Sequence, residues 1–390
     1  MFAIPDPIRK RFSRFLIGFA ALWLAACEPI PMTQTGGGMP PSRDAVPVAL
    51  LVPHGTSNAQ EQQLARDLEN AARMAVADLS GVDIDLRVYG TAGNASQAQE
   101  AAVNAANDGA RIIIGPLHAE SANAVAVAMA SRDINVLTFS NNPTIAGGNL
   151  FVLGQTFQNT ANRLAGFAVR EGTSRIVAVY SDNLAGRLGR SAIEQALRSN
   201  GGTLAGSVAY DFSQEGVLDA VPVIREMVET ESADAIFLTA NTAGALPLFS
   251  QMLPENGLGP DRLQYIGLSR WDTPPQTLEL PGVQGGWFAL PDPNRSERFK
   301  NRFQSANGSA PHPLAGLAYD GIAAVGALVQ SGQGLGRGSL TQSAGFKGVN
   351  GVFRLRPDGT NERGLAVATI TDERVEILSP APQSFGGAGF

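Results

Sequence analysis

From Val46 onward, short apolar runs alternate with longer stretches in which apolar residues recur every three or four positions. The runs are Val46 to Val52, Ile84 to Val88, Ile112 to Ile114, Val136 to Phe139, Ile176 to Tyr180, Ala235 to Thr239 and Gln264 to Leu268. They are rich in β-branched residues and too short for helices, so each predicts a buried strand. Between Glu61 and Leu79, the side chains of Leu64, Leu68, Ala72, Ala75, Val76 and Leu79 share one face of a 3.6-residue period and predict an amphipathic helix. Ser57-Asn58-Ala59-Gln60 and Ser96-Gln97-Ala98-Gln99 have the Ser-x-x-Gln form of a capping box, and Gly109 supplies a helix stop. Strands alternating with helices in this way build βαβ units around a parallel sheet. Near the end the pattern changes. Gly351 to Arg356 and Gly364 to Ile370 flank the turn signal Pro357-Asp358-Gly359, which predicts an antiparallel hairpin.

Two consecutive sets of units follow from this spacing. The expected α/β architecture has two lobes, parallel sheets flanked by helices, and a C-terminal β-hairpin. Residues 46–156 with 287–337 form the first lobe, 157–286 with 338–378 the second, and 379–390 a loose Gly/Pro-rich tail.

The first residues break the rhythm. Arg9, Lys10, Arg11 and Arg14 precede an apolar run from Phe15 to Ala26, shorter than the roughly 20 residues a membrane span requires, so residues 1–26 read as an export signal. The run closes on Leu24-Ala25-Ala26-Cys27, and Cys27 is the only cysteine in the chain, which excludes an internal disulfide. Leu, two small residues and Cys resembles the bacterial lipobox, in which the cysteine is lipidated and becomes the mature N-terminus. Residues 27–45, mixing Pro and Gly without apolar period, then read as a flexible tether. The resemblance implies a periplasmic, membrane-anchored protein. Glu28, not Asp, follows the cysteine, which favours the outer membrane over the inner.

Charge narrows the function classes. With 29 Lys and Arg against 35 Asp and Glu, the net charge is −6, and no basic cluster exists beyond residue 14, so a nucleic-acid partner is excluded. Charged residues make up only 16% of the chain, which leaves specificity to small polar contacts. There is no Gly-x-Ser-x-Gly elbow, phosphate-binding loop or His-Glu-x-x-His motif. Three histidines, at 54, 118 and 312, and a cysteine committed to lipid cannot build a thiol nucleophile or a zinc site. The expectation is a protein without catalysis, metal or cofactor. Gly332 to Gly338, superficially like a dinucleotide loop, follows a helix and reads as a connector.

The order Ile112-Ile113-Ile114-Gly115-Pro116-Leu117, then Val136-Leu137-Thr138-Phe139-Ser140, then Tyr319-Asp320-Gly321-Ile322 opening a late helix resembles the type I periplasmic binding proteins. That family includes branched-chain amino-acid receptors and the sensor domain of penicillin-binding-protein activator lipoproteins.

In open parallel sheets, ligands bind beyond the carboxyl ends of strands. The candidates there are His54, Thr56, Gly115, His118, Ser121, Ser140, Asn141 and Asn142 in the first lobe. In the second they are Tyr180, Ser181, Asp182, Asn241, Thr242, Ser269, Arg270 and Trp271. Trp271 either stacks on a ligand or covers a hinge, and Asp320 either meets a ligand or satisfies a hinge amide. Amino-acid receptors of the family carry Ser-Pro-x-x-Thr-x-Pro after the fourth strand; here Ser140-Asn141-Asn142-Pro143-Thr144 keeps only the serine. The expectation drawn first is a lipid-anchored activator docking on a peptidoglycan synthase. The alternative is a receptor handing an amino acid, amide or similar small polar ligand to an ABC permease.

Overall fold

The computed structural model describes residues 45–386. The signal and lipobox cysteine, nearly all of the tether, and residues 387–390 lie outside the described residues.

Alternation along β1 (Val46–Val52) sets both faces of the first sheet. Val48, Leu50 and Val52 turn toward one hydrophobic cluster, and Ala49 and Leu51 toward another. The first cluster is covered by α1 (Ala59–Asp78) together with the late helix Ala315–Gln330, the second by α2 (Ala95–Asn107) and α3 (Ala119–Met129). β2 (Ile84–Gly90), β3 (Ile112–Ile114), β4 (Asn135–Thr138) and β5 (Leu150–Val152) join β1 in the order β2-β1-β3-β4-β5, all parallel.

The second half repeats the scheme with α4 (Phe157–Arg170), β6 (Arg175–Ser181), α5 (Leu184–Asn200), β7 (Thr203–Tyr210), α6 (Gln214–Thr230), β8 (Ala235–Leu238), α7 (Leu246–Glu255), β9 (Gln264–Gly267) and β10 (Trp287–Leu290). Ile176 and Ala178 pack with α4 and α5, and Val177 and Val179 with α6 and α7. After α8 (Pro293–Asn307), α9 (Ala315–Gln330) and the short α10 (Arg337–Leu340) come β11 (Phe346–Gly348), β12 (Gly351–Leu355) and β13 (Asn361–Arg363), a small antiparallel sheet. β14 (Ala366–Thr371) and β15 (Arg374–Ser379) then complete a seven-stranded sheet, β15-β14-β10-β9-β8-β6-β7, antiparallel at β10-β14 and β14-β15.

Several boundaries differ from the sequence reading, each for a local reason. Asn58 and Asn94, not Ser57 and Ser96, cap α1 and α2. Each lies in extended backbone, and its Oδ1 accepts two amides of the first turn. β10 belongs to the second sheet, since Trp287 and Phe288 pair with β9. Conversely Phe346, Phe353 and Leu355 of β11 and β12 pack into the first sheet's core. The hairpin around Asp358 closes on β13, while the run after Gly364 leaves it to pair with β10 and β15. The tail is anchored through Gln383. Arg163 donates to Ser379 Oγ at 2.7 Å and Pro380 O at 3.2 Å, and Gln383 donates to Asp292 Oδ2 at 2.9 Å.

Three segments connect the two halves: Leu153 to Thr156, Pro291 with Asp292, and Gly364 with Leu365. A polar lattice ties them together. Asn361 Nδ2 donates to the carbonyls of Val152 and Gly154 at 2.7 and 2.9 Å, and Arg363 Nε to that of Leu153 at 2.9 Å. Arg163 Nε donates to Leu365 O at 2.6 Å. Arg163 is buried, and desolvation together with neighbouring Arg170 lowers its pKa to about 10.

Candidate functional site

Beside these crossings lies a cavity of about 640 Å³. Its second-half wall is Arg270, Asp272, Thr273 and Pro275 after β9, with Leu290 and Pro291 at the end of β10. The facing wall is Phe299 and Lys300 of α8, the Pro311-His312-Pro313-Leu314 loop, and Leu317 of α9. Gln155, Asn350, Arg363 and Leu365 line it from the crossings. Prolines and leucines with a few polar groups make a wall suited to orienting a small ligand.

The charges are balanced. Arg270 grips Asp272 through two hydrogen bonds, Nε to Oδ1 at 2.8 Å and Nη2 to Oδ2. Lys300 Nζ lies 3.8 Å from Glu297. Arg363 is engaged behind the wall by Asp320, at 3.1 Å. A ligand carboxylate can therefore meet Arg270 or Lys300, and a ligand cation Asp272 or Glu297.

His312 shapes the rim. Its backbone amide donates to Asp67 Oδ2 of α1 at 2.8 Å, and its Nδ1 accepts from the Leu314 amide at 3.1 Å, which requires that nitrogen to be unprotonated. Burial lowers its pKa below 6.5, against the opposing pull of Asp67. Because the folded value lies below the unfolded one, this stabilising contribution is complete above pH 6.5 and is lost as pH falls through the folded value. Thermal melts between about pH 7.5 and 5 should show part of the acid-side loss vanish in His312→Asn, whose amide oxygen can still accept from Leu314. An unchanged pH slope in the variant would refute this role.

Residues 45–374 match the sequence profile of the family described as periplasmic binding protein. The chain belongs to that family. The structure of this binding protein is similar to a branched-chain amino acid ABC transporter protein of Rhodospirillum rubrum, with a TM-score of 0.74 and 17% identity over 86% of this chain and 100% of the other. It is also similar to an ABC transporter substrate-binding protein of Desulfitobacterium hafniense solved with Leu, with a TM-score of 0.62 and 18% identity over 86% and 100%. A solute-binding protein of R. palustris, in complex with benzoate, gives a TM-score of 0.57 and 16% identity over 89% and 99%. No curated protein matches the sequence.

Within this binding protein, the residues singled out from sequence fall into three groups. His54, Thr56, His118, Ser140, Asn141 and Asn142 follow first-sheet strands, with Ser121 inside α3. Tyr180 is the penultimate residue of β6, and Asp182, Asn241 and Ser269 follow β6, β8 and β9. None of them lines the cavity, and among the described residues no hydrogen bond or ion pair joins the first-sheet set to the second.

Many are occupied locally. His54 Nε2 lies 2.9 Å from Glu69, and His118 Nε2 lies 3.5 Å from Glu61, both on α1. Burial raises the Glu69 pKa, but hydrogen bonds from His54 and Arg73 outweigh it and leave the carboxyl below its ordinary value. Thr56 Oγ1 accepts the Asn58 amide, Ser140 Oγ the Asn142 amide, and Asn142 Oδ1 the Thr144 amide. Asp182 pairs with Arg187 at 2.7 Å, and Ser269 Oγ donates to Ala240 O. Gly115 has a backbone role: its φ is +90°, and a Cβ there would sit 2.1 Å from Leu51 O.

Two candidates are buried away from the cavity, Trp271 against the stacking role and Asp320 in the amide-satisfying alternative. Trp271 is fully buried in the second-half core and does not stack in the cleft. Asp320 is also fully buried, accepting the Val349 amide at 2.8 Å beside its pairing with Arg363. Burial pushes its carboxyl up, against the pull of Arg363 and the Val349 and Asn350 amides. Of the strand-end candidates, Arg270 alone reaches the cavity. Phe299, Lys300 and His312 belong to a helix and a loop without strand-end position, which is why that rule passes over them. Among the described residues, no cluster of His, Cys, Asp or Glu fits a metal, and no helix is long and apolar enough to cross a membrane.

Proposed function

We propose that this is the solute receptor of an ABC transporter, taking an amino acid or related small carboxylate into the cavity beside Arg270 and Lys300. The observation that carries this reading is the cavity itself, apolar-walled and lined by Arg270, Lys300 and Arg363, each with a carboxylate at hand. Such a site suits a zwitterion with an apolar body. The ligands named for two of the similar structures, Leu and benzoate, both bear a carboxylate. The receptor works in the periplasm. A lipid on Cys27 would hold it at a membrane, and an ABC permease is its partner. The similar structures named above belong to transporters and none of them is a wall-synthase activator, so the transport reading is the better supported of the two.

Thermal shift against amino acids and aromatic acids tests the proposal. A true ligand at a hundred times its Kd should stabilise the fold by about 2.7 kcal/mol. In Arg270→Ala that shift should vanish while the ligand-free melting temperature stays nearly unchanged. A flat response across the panel would overturn it.

A further inference from the structure

The chain after β15 crosses back from the second half to the first. Ala381 is buried in the second-half core, just past the Arg163 contacts to Ser379 and Pro380. Pro382 then lies against Gly364, where a Cβ would come 3.1 Å from the proline ring. Gln383 reaches the next crossing. Its Nε2 donates to Asp292 Oδ2 at 2.9 Å, and its Oε1 accepts from Arg295 of α8 at 3.4 Å. The path continues to the small antiparallel sheet, where the Arg354 guanidinium of β12 stands 4.6 Å over the Phe385 ring. Gly345 leaves room for that ring, since a Cβ there would sit 2.7 Å from its Cε2. β11 and β12 pack into the first sheet's core, so the Phe385 contact belongs to the first half.

Residues 380–385 therefore make a fourth link between the halves, closed by side-chain contacts. Rotation of one domain on another is absorbed by a few residues where the chain crosses. Asp292 is one of these, and it is buried. Its Oδ1 accepts the Asn294 and Arg295 amides at 3.0 and 3.1 Å, which leaves Oδ2 to the tail and to Arg295 Nε at 3.7 Å. A guanidinium over an aromatic ring is a weak contact by itself. Here the anchored Ala381 keeps Phe385 close to β12, so the contact re-forms at high effective concentration whenever it breaks.

We infer that residues 380–385 act as a strap that fixes the angle between the two halves. Gln383 and Phe385 are then positioning residues for the cavity, whose wall includes Pro291 and Pro293 on either side of Asp292. Only the link to the cavity rests on the receptor reading; the angle itself is measured without solute.

Single-molecule fluorescence transfer on the full chain in mild detergent reads that angle. Dyes are carried by a ketone-bearing amino acid at Val127 of α3 and Leu184 of α5, one exposed position on each half, which leaves Cys27 untouched. The parent should show one distance. In Phe385→Ala, a second population of about a tenth of the molecules or more should appear. Adding Gln383→Ala should enlarge it. Phe385→Tyr keeps a ring beneath Arg354 and should match the parent. Both positions lie outside the sheets, so each variant should fold and melt within about 4 °C of the parent. The strap is refuted if Phe385→Ala keeps the parent's single distance, since the ring would then be local packing only. It is equally refuted if Phe385→Tyr spreads as Phe385→Ala does, or if the parent already divides between two distances. Such a failure leaves the receptor reading standing, just as a flat ligand panel leaves the strap standing.

Discussion

Asp320→Ala is expected to lower folding stability by about 3–5 kcal/mol, because it strips the partner from a buried cation. The Arg363 side chain is only 4% exposed, and its partners are Asp320, the Leu153 carbonyl and the Phe353 ring, whose centroid lies 5.1 Å from the guanidinium carbon. Without the carboxylate, the guanidinium keeps its charge in a site where water reaches only its cavity-facing edge, and the Val349 amide loses its acceptor as well. Urea unfolding should show a lower midpoint at unchanged slope. Asp320→Leu combined with Arg363→Met should recover most of the loss, since apolar side chains of similar volume need no counter-charge. A loss within about 1 kcal/mol for Asp320→Ala, the range of an ordinary substitution, would refute the reading.

The second large effect is at Trp271. Its indole fills the space above Gly267 and Gly286, where a Cβ would come within 2.3 and 2.4 Å of the ring, and lies 6.3 Å from Phe288 between centroids. Trp271→Ala should cost about 3–5 kcal/mol through the cavity it leaves. Trp271→Phe should cost less, in part because the buried indole Nε1 has no hydrogen-bond partner among the described residues and the phenyl ring has no donor to satisfy. Chemical denaturation measures both. A Trp271→Ala protein as stable as the parent, but unable to bind the ligand that the parent binds, would return this side chain to the cleft.

Trp271 also shows where sequence reasoning stops. It follows a strand directly, flanked by Arg270 and Asp272, so position alone makes it a cleft residue. What sends it inward is space cleared by two glycines, one of them 15 residues further on, and that is a tertiary fact. The repeated α/β rhythm was legible because strands buried on both faces, such as Ile112 to Ile114, read as unbroken apolar runs. β7 was passed over because Ala, Gly and Ser dilute its alternation, and β10 because its four residues follow a loop of prolines and glycines. The cavity was legible only at Arg270. Its other wall is assembled from α8 and the Pro311 to Leu314 loop, brought there by the return of the chain through Pro291 and Asp292. Strand-end logic treats each sheet separately and carries no signal for that return.

Asn361 and Arg363 belong to one short strand yet hold carbonyls on both sides of Leu153, so two of the three bridges between the halves form a single stiff knuckle. Any swing that opens the mouth over Arg270 must carry this knuckle as one body and take up its bend at Pro291 and Asp292. The solute's entrance is therefore governed by a dipeptide whose proline is itself part of the wall that would hold it.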